Sequence, residues 1–302
     1  MSTSTTSSNT VTSSDGYVNV RGFRLYYRIF SDEKGGRRGT IVCLHGGPGI
    51  PHNYILPLAD LAKFGYRVVF YDQLGVGKSE LPKNPALFTI ENGVEELEAF
   101  RQAMHLGKIH LMGSSYGGLL AIAYALKYQR NLKTLITTGG LHSVPEAIAE
   151  MERMKSKLPK DVLETMKKYE EQGDYENPEY VNAMMVFYKR HLCRLDEWPE
   201  ELNYAIQNVS KPVYGTMNGP NEFTIIGNIR YWDVSDSLSK IKVSTLVTGG
   251  RYDEVSPKIA RKIHKGIKGS KLVIFEKSSH LPMWEEREKY IETLRKFLEK
   301  HP

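Results

Sequence analysis

The chain has 302 residues, of which 40% are hydrophobic and 25% charged, with a formal net charge of +6. That length suits one large α/β domain, or a core domain carrying an insertion, with ample chain to bury a core. No apolar run approaches the ~20 residues that span a bilayer, and the N-terminus lacks the layout of a secretory signal, so a cytoplasmic protein with no membrane partner is expected. The basic residues are interleaved with glutamates. Their densest stretch, from Lys258 to Lys271, reads as the solvated face of a helix, and no nucleic-acid partner is expected.

In chain order, residues 1–14 are mostly Ser, Thr and Asn without apolar periodicity and read as a disordered tail. Short β-branched or aromatic runs then predict strands at Tyr17–Val20, Arg24–Phe30, Thr40–Leu44, Arg67–Tyr71, Ile109–Met112, Leu132–Thr138, Ser244–Thr248 and Lys271–Phe275. Helical patterns fall at Asn53–Phe64, Ile90–His105, Ser115–Tyr128, Pro257–Ile267 and Trp284–Lys300. Two leading strands followed by β/α alternation imply an α/β fold with an eight-stranded, mostly parallel sheet covered on both faces.

Between about His142 and Lys240 the strand pattern stops. Helices opened by prolines are expected at Pro145–Lys157, Pro159–Gln172, Pro178–Cys193 and Pro199–Val209. A helical block between strands of one sheet reads as a cap over the carboxyl ends of those strands, where open α/β sheets place their sites. The expected division is therefore a core of residues 15–141 and 241–302 and a cap of residues 142–240. Cys43, in an apolar strand, and Cys193, in a helical stretch, read as buried free thiols.

The segment Gly113-Ser114-Ser115-Tyr116-Gly117-Gly118 stands between a predicted strand and a predicted helix. A sharp strand-to-helix turn presents its central serine in a strained conformation, and small flanking residues let strand and helix pass. Ser115 is the nucleophile so presented. A serine hydroxyl needs a base, and the base a carboxylate to fix its tautomer. Asp253 and His280 each lie in a loop just beyond a strand, and both loops should open on one sheet edge. Alone, Asp253 is as well read as a turn residue and His280 as a packing residue before Pro282; with the elbow they read as a triad. The backbone N–H groups of Gly47, in His45-Gly46-Gly47-Pro48-Gly49, and of Tyr116 are the expected oxyanion donors. His45 itself reads as structural.

Other signals are weaker. Gly75-Val76-Gly77-Lys78-Ser79 ends like a phosphate loop but lacks its first glycine and the helix, and reads as a turn. The histidines and cysteines show no metal-ligand spacing, so neither metal nor cofactor is expected.

With HGGPG at 45–49, DQLGVGKS at 72–79, GSSYGG at 113–118, GGRYDEVSP at 249–257 and SSH at 278–280, the chain resembles the proline iminopeptidase family of α/β hydrolases. The likeness spans residues 17 to 302 and is greatest to the branch of the archaeal tricorn-interacting aminopeptidase. It implies an α/β-hydrolase fold, short peptide substrates and a serine aminopeptidase acting on proline and on other, mainly apolar, first residues. A larger peptide-generating protease is an implied partner. Leu74 and Tyr116 stand where many members carry Arg and Trp, which favours breadth over strict proline preference. In that family two cap-side glutamates hold the substrate's amino terminus, and Glu222 and Glu254 take those places. Two carboxylates can replace the hydration that an ammonium loses in a covered pocket. Tyr214 and Trp232, flanking Glu222, read either as walls of an apolar first-residue pocket or as cap packing. The alternatives are a carboxylesterase or amino-acid amide hydrolase of the same fold, and a protease-associated binding protein without activity.

Overall fold

The strands form because runs such as Thr40–Leu44 and Arg67–Tyr71 are apolar on both faces, which suits a sheet covered on both sides. In the computed structural model, which describes residues 10–302, eight strands make one sheet. They are β1 (Val11–Val20), β2 (Phe23–Asp32), β3 (Thr40–Leu44), β4 (Arg67–Tyr71), β5 (Ile109–Ser114), β6 (Leu132–Thr138), β7 (Ser244–Gly250) and β8 (Lys271–Phe275). Their order is β1-β2-β4-β3-β5-β6-β7-β8. The pairs β1–β2 and β2–β4 are antiparallel, and every later neighbour is parallel. The expected mixed, mostly parallel sheet is therefore present.

The helices are α1 (Ile90–Ala103), α2 (Tyr116–Tyr128), α3 (Val144–Lys155), α4 (Lys160–Gln172), α5 (Pro178–His191), α6 (Glu200–Gln207), α7 (Lys211–Met217), α8 (Pro257–Gly266), α9 (Pro282–Glu285) and α10 (Arg287–Leu298). Along β3, Val42 and Leu44 pack with Leu97, Leu120 and Ile263 of α1, α2 and α8. Ile41 and Cys43 point the other way, onto Leu58 and Leu61 of the 3-10 segment His52–Phe64 and Leu294 of α10. The period-two alternation of one strand thus feeds two cores. A third cluster, with Met166, Tyr180 and Phe187 from the helices between β6 and β7 and Phe223 from the turn after α7, belongs to the insertion.

That helical insertion is tied at its root. Ser143 bridges to Asp233, the Val144 N–H donates to the Trp232 carbonyl at 2.9 Å, and the Val234 N–H donates to the His142 carbonyl at 2.9 Å. The Ser143 hydroxyl caps α3 by accepting from the Glu146 N–H and donates to Asp233 at 2.6 Å.

Four sequence expectations are corrected. The tail expected over 1–14 lies outside the described residues at 1–9, but Val11–Ser14 belong to β1, because their backbone pairs with Ile29–Asp32 although their side chains are mostly exposed. The helix expected at Asn53–Phe64 is a 3-10 segment; Pro57 inside it lacks the N–H that an α-helix needs. The helix expected at Trp284–Lys300 is broken at Glu286, with φ −131° and ψ 47°. Helix α7 lies beyond the expected helices, being short and containing Gly215, a poor helix former.

Candidate active site

The elbow follows from its glycines. Ser115 sits between β5 and α2 with φ 57° and ψ −126°, a conformation that costs energy for any residue but glycine. Its N–H donates to the Thr138 carbonyl at 2.9 Å, which fastens the turn to β6. A Cβ at Gly113 would strike the Gly117 backbone, one at Gly117 would strike the Leu44 carbonyl, and one at Gly46 would lie 2.7 Å from the Ser115 Cβ. Strand, helix and the HGGPG turn therefore close on the serine only because these positions lack side chains.

Gly47 has φ +107°, and a Cβ there would come within 2.7 Å of the Gly49 nitrogen. Tyr116 is the first residue of α2, so its N–H has no intrahelical acceptor and lies at the positive end of the helix dipole. Tyr54 supports the turn, its hydroxyl accepting from the Gly46 N–H at 2.7 Å. His45 is buried, accepts the Gln73 N–H on Nε2 at 3.0 Å, and is driven by burial down to about 4, so it stays neutral. Asp72 accepts from the His52 ring at 2.8 Å and from the Lys78 N–H at 3.0 Å, which makes the Gly75–Ser79 segment a buttressed turn.

Asp253 and His280 meet beyond the ends of β7 and β8. Asp253 Oδ1 accepts from His280 Nδ1 at 2.7 Å and from the Val255 N–H at 2.8 Å. The first bond fixes the tautomer that leaves Nε2 to face the cavity. Both loops are held from outside. The His191 carbonyl, at the end of α5, accepts the N–H groups of Glu254 and His280, each at 3.1 Å. Glu285 accepts from the Ser279 N–H and hydroxyl at 2.8 Å each, and Glu286 from the Lys277 N–H at 3.0 Å and the Ser278 hydroxyl at 2.7 Å. The break between α9 and α10 puts these two carboxylates onto the histidine loop.

Ser115, His280, Gly47, Glu222, Glu254 and Tyr214 line one cavity of about 730 Å³ under the helical insertion. Most of its remaining wall is apolar or aromatic, including Met184, Tyr188, Trp198 and Ile206. Glu254 is 5% exposed, and its Oε2 has no hydrogen-bond partner among the described residues. Burial and the carboxylates of Glu222 and Asp253 push Glu254 up to about 8 against the pull of His280. Glu222 is likewise raised by burial, with Tyr214 partly offsetting the effect. Burial alone would lower His280, but Asp253, Glu254 and Glu222 outweigh it and hold the ring at about 9.

Trp232 does not reach this cavity. It is held at the root of the insertion by the pairing of 142–144 with 232–234, and lines a separate groove with Ile90 and Ala123. Sequence reasoning passed over Tyr54 and Tyr188, which do line the cavity. Tyr54 follows the glycine turn closely enough to have been a candidate; nothing in the local pattern marks Tyr188.

A family model described as alpha/beta hydrolase fold matches residues 39–287. The chain is 50% identical over 287 residues to a proline iminopeptidase of Saccharolobus solfataricus, covering 94% of this chain and 92% of that one. It is 48% identical over 289 residues to a proline iminopeptidase of Thermoplasma volcanium, covering 95% and 97%. The chain belongs to the proline iminopeptidase family of α/β hydrolases. Among solved structures, the proline iminopeptidase of Mycobacterium smegmatis superposes with a TM-score of 0.89 at 29% identity, over 95% of this chain and 98% of that one. The two archaeal relatives agree with the branch that the motifs indicated. Among the described residues no helix is long and apolar enough to cross a membrane, and no group of His, Cys, Asp or Glu is placed to hold a metal ion.

Proposed function

We propose that the protein is a serine aminopeptidase that releases N-terminal residues, proline and other mainly apolar ones, from short peptides. The observation that carries this reading is that Ser115 and His280 open onto the same cavity as the carboxylates of Glu222 and Glu254, one of which has an unpartnered buried oxygen. An esterase for neutral acyl groups has no use for two desolvated carboxylates beside its base, whereas a free α-ammonium satisfies them.

In this reading Ser115 Oγ attacks the carbonyl carbon of the first residue while His280 Nε2 takes its proton, and Asp253 stabilises the imidazolium. The N–H groups of Gly47 and Tyr116 receive the oxyanion. His280 then protonates the departing amine, and the same ring activates a water that splits the acyl-enzyme and frees the amino acid. Glu222 and Glu254 fix the distance from the ammonium to the reacting carbonyl, so only the first peptide bond lies at the serine. Tyr214 forms part of the first-residue wall, and the apolar remainder of the cavity takes the following residues. Residues 142–240 act as a cap that admits short chains. Substrates of this kind are released by a larger protease acting upstream, and the buried free thiols Cys43 and Cys193 suit a cytoplasmic location.

The test is product analysis with a free and an N-blocked tripeptide. The first products expected from the free tripeptide are its N-terminal residue and the remaining dipeptide, with no cleavage of the blocked tripeptide. Labelling of Ser115 by a serine-directed fluorophosphonate, lost in Ser115→Ala together with a ~10³-fold or greater fall in kcat, is the accompanying result. Internal cleavage, or an active Ser115→Ala protein, refutes it.

A further inference from the structure

His280 has a carboxylate at each ring nitrogen. Asp253 Oδ1 lies 2.7 Å from Nδ1, and Glu254 Oε1 lies 3.7 Å from Nε2, the nitrogen that must serve Ser115. All three side chains are buried, none more than 5% exposed. We propose that in the free enzyme Glu254 competes with Ser115 for the Nε2 proton of His280, and that the substrate's α-ammonium, by pairing with Glu254 and Glu222, releases the ring to act as base. The group that anchors the substrate thereby also switches on catalysis. This rests on the amine-anchor reading above and adds to it a role in proton transfer.

The surroundings of the ring support the competition. From the loop after β7 it faces Asp253 and Glu254, and from the cap it is influenced by Glu222. Beyond Glu222 lie the hydroxyls of Tyr188 and Tyr214, both kept neutral by burial first and by the Glu222 charge second. Tyr54 and Ser115 share the cavity wall, the His191 carbonyl accepts the His280 N–H, and Glu285 approaches through Ser279. Lys211, also on the cavity wall, is paired with Glu176 at 2.7 Å. Three carboxylates therefore act on His280, whose ring supplies the positive charge among them. Burial and the neighbouring carboxylates raise Glu254, and the carboxylates raise His280, so the coupled pair holds one proton between Glu254 and Nε2 at neutral pH.

An imidazolium cannot accept the Ser115 proton. An α-ammonium, whose own pKa is ~8, brings a positive charge to Glu254 and Glu222 and replaces the charge of the ring. The proton held between Nε2 and Glu254 passes to solvent as the cation enters, one charge for one. The neutral ring then takes the proton of Ser115 Oγ as the oxygen attacks. A substrate with a blocked amine meets a base that is already protonated, and so loses kcat as well as binding.

Imidazole nitrogen resonances of His280 in the Ser115→Ala protein, titrated with and without a saturating prolyl dipeptide, read the switch directly. The His280 midpoint is expected to fall by at least one pH unit when the dipeptide is bound, with proton release at neutral pH seen by calorimetry in buffers of different ionisation heat. In the wild-type enzyme the acid limb of kcat should lie at least one unit below that of kcat/KM. In Glu254→Gln the gap should close, and hydrolysis of an N-acetylated aminoacyl-arylamide should rise about tenfold at pH 7. An unchanged midpoint with the dipeptide bound overturns the switch and leaves the anchor standing. Equal affinity for free and acetylated dipeptides overturns the anchor, and the switch with it.

Discussion

Glu96, on α1, is buried with both carboxylate oxygens accepting the Leu74 N–H at 3.2 Å, and burial raises it from 4.5 to about 8. In the unfolded chain this carboxyl ionises near its ordinary value, so between pH ~4.5 and ~8 the unfolded state holds fewer protons than the folded one and stability falls as pH rises. Glu96→Gln removes that penalty. Thermal unfolding should show the variant more stable by on the order of 2–3 kcal/mol at pH 8, with the difference vanishing below pH 4.5. An equal gain at both pH values would mean that the effect is packing and not ionisation. At this scale the placement of Ser115 at its turn and of Asp253 beside His280 was legible because it comes with local signs: flanking glycines, and loops after strands. For Trp232 the sequence left pocket wall and packing open, because ten residues of separation from Glu222 say nothing about a backbone pairing at the root of the insertion. The burial of Glu254 was invisible because His191, whose carbonyl accepts its N–H, and Tyr188 and Glu222, which share its cavity, are distant in sequence.

Elements were most legible where burial is continuous. β3 and β4, buried at four of their five residues, begin and end where their apolar runs do, since a strand covered on both faces is nearly continuous in apolar residues. β1 was read short because its first residues are held by the ladder to β2 with exposed side chains. The division of α9 from α10 was missed because the apolar spacing of Tyr290, Leu294 and Leu298 gives no sign of it. That division has a consequence for activity. Glu286 at the break holds Lys277 and Ser278, and Glu285 holds Ser279, next to His280. Glu286→Ala should lower kcat about tenfold to a hundredfold through displacement of His280, with KM and the far-ultraviolet spectrum little changed. A variant with full kcat would assign Glu286 to stability alone.

For the whole molecule, the order of elements implied the fold and the insertion, whereas the way the insertion closes over the sheet edge did not follow from any pattern along the chain. Two of its consequences can be measured. Cys43 lies on β3 with its side chain in the core and Cys193 just after α5, both buried, with burial raising both thiols, that of Cys193 to about 11. A thiol reagent at pH 8 should modify neither in the native protein and both in denaturant; rapid native modification of Cys193 would show that the cap opens in solution.

The central claim is that cap and core together build a cavity measured from a free amino terminus. The most direct test is the ratio of kcat/KM for an aminoacyl-arylamide to that for its N-acetylated form. Loss of one partner from a buried ion pair costs about 3–5 kcal/mol, so the account predicts a ratio of about 10² to 10³ or more, falling in Glu222→Gln and Glu254→Gln. A ratio near one, unchanged in both variants, would contradict it.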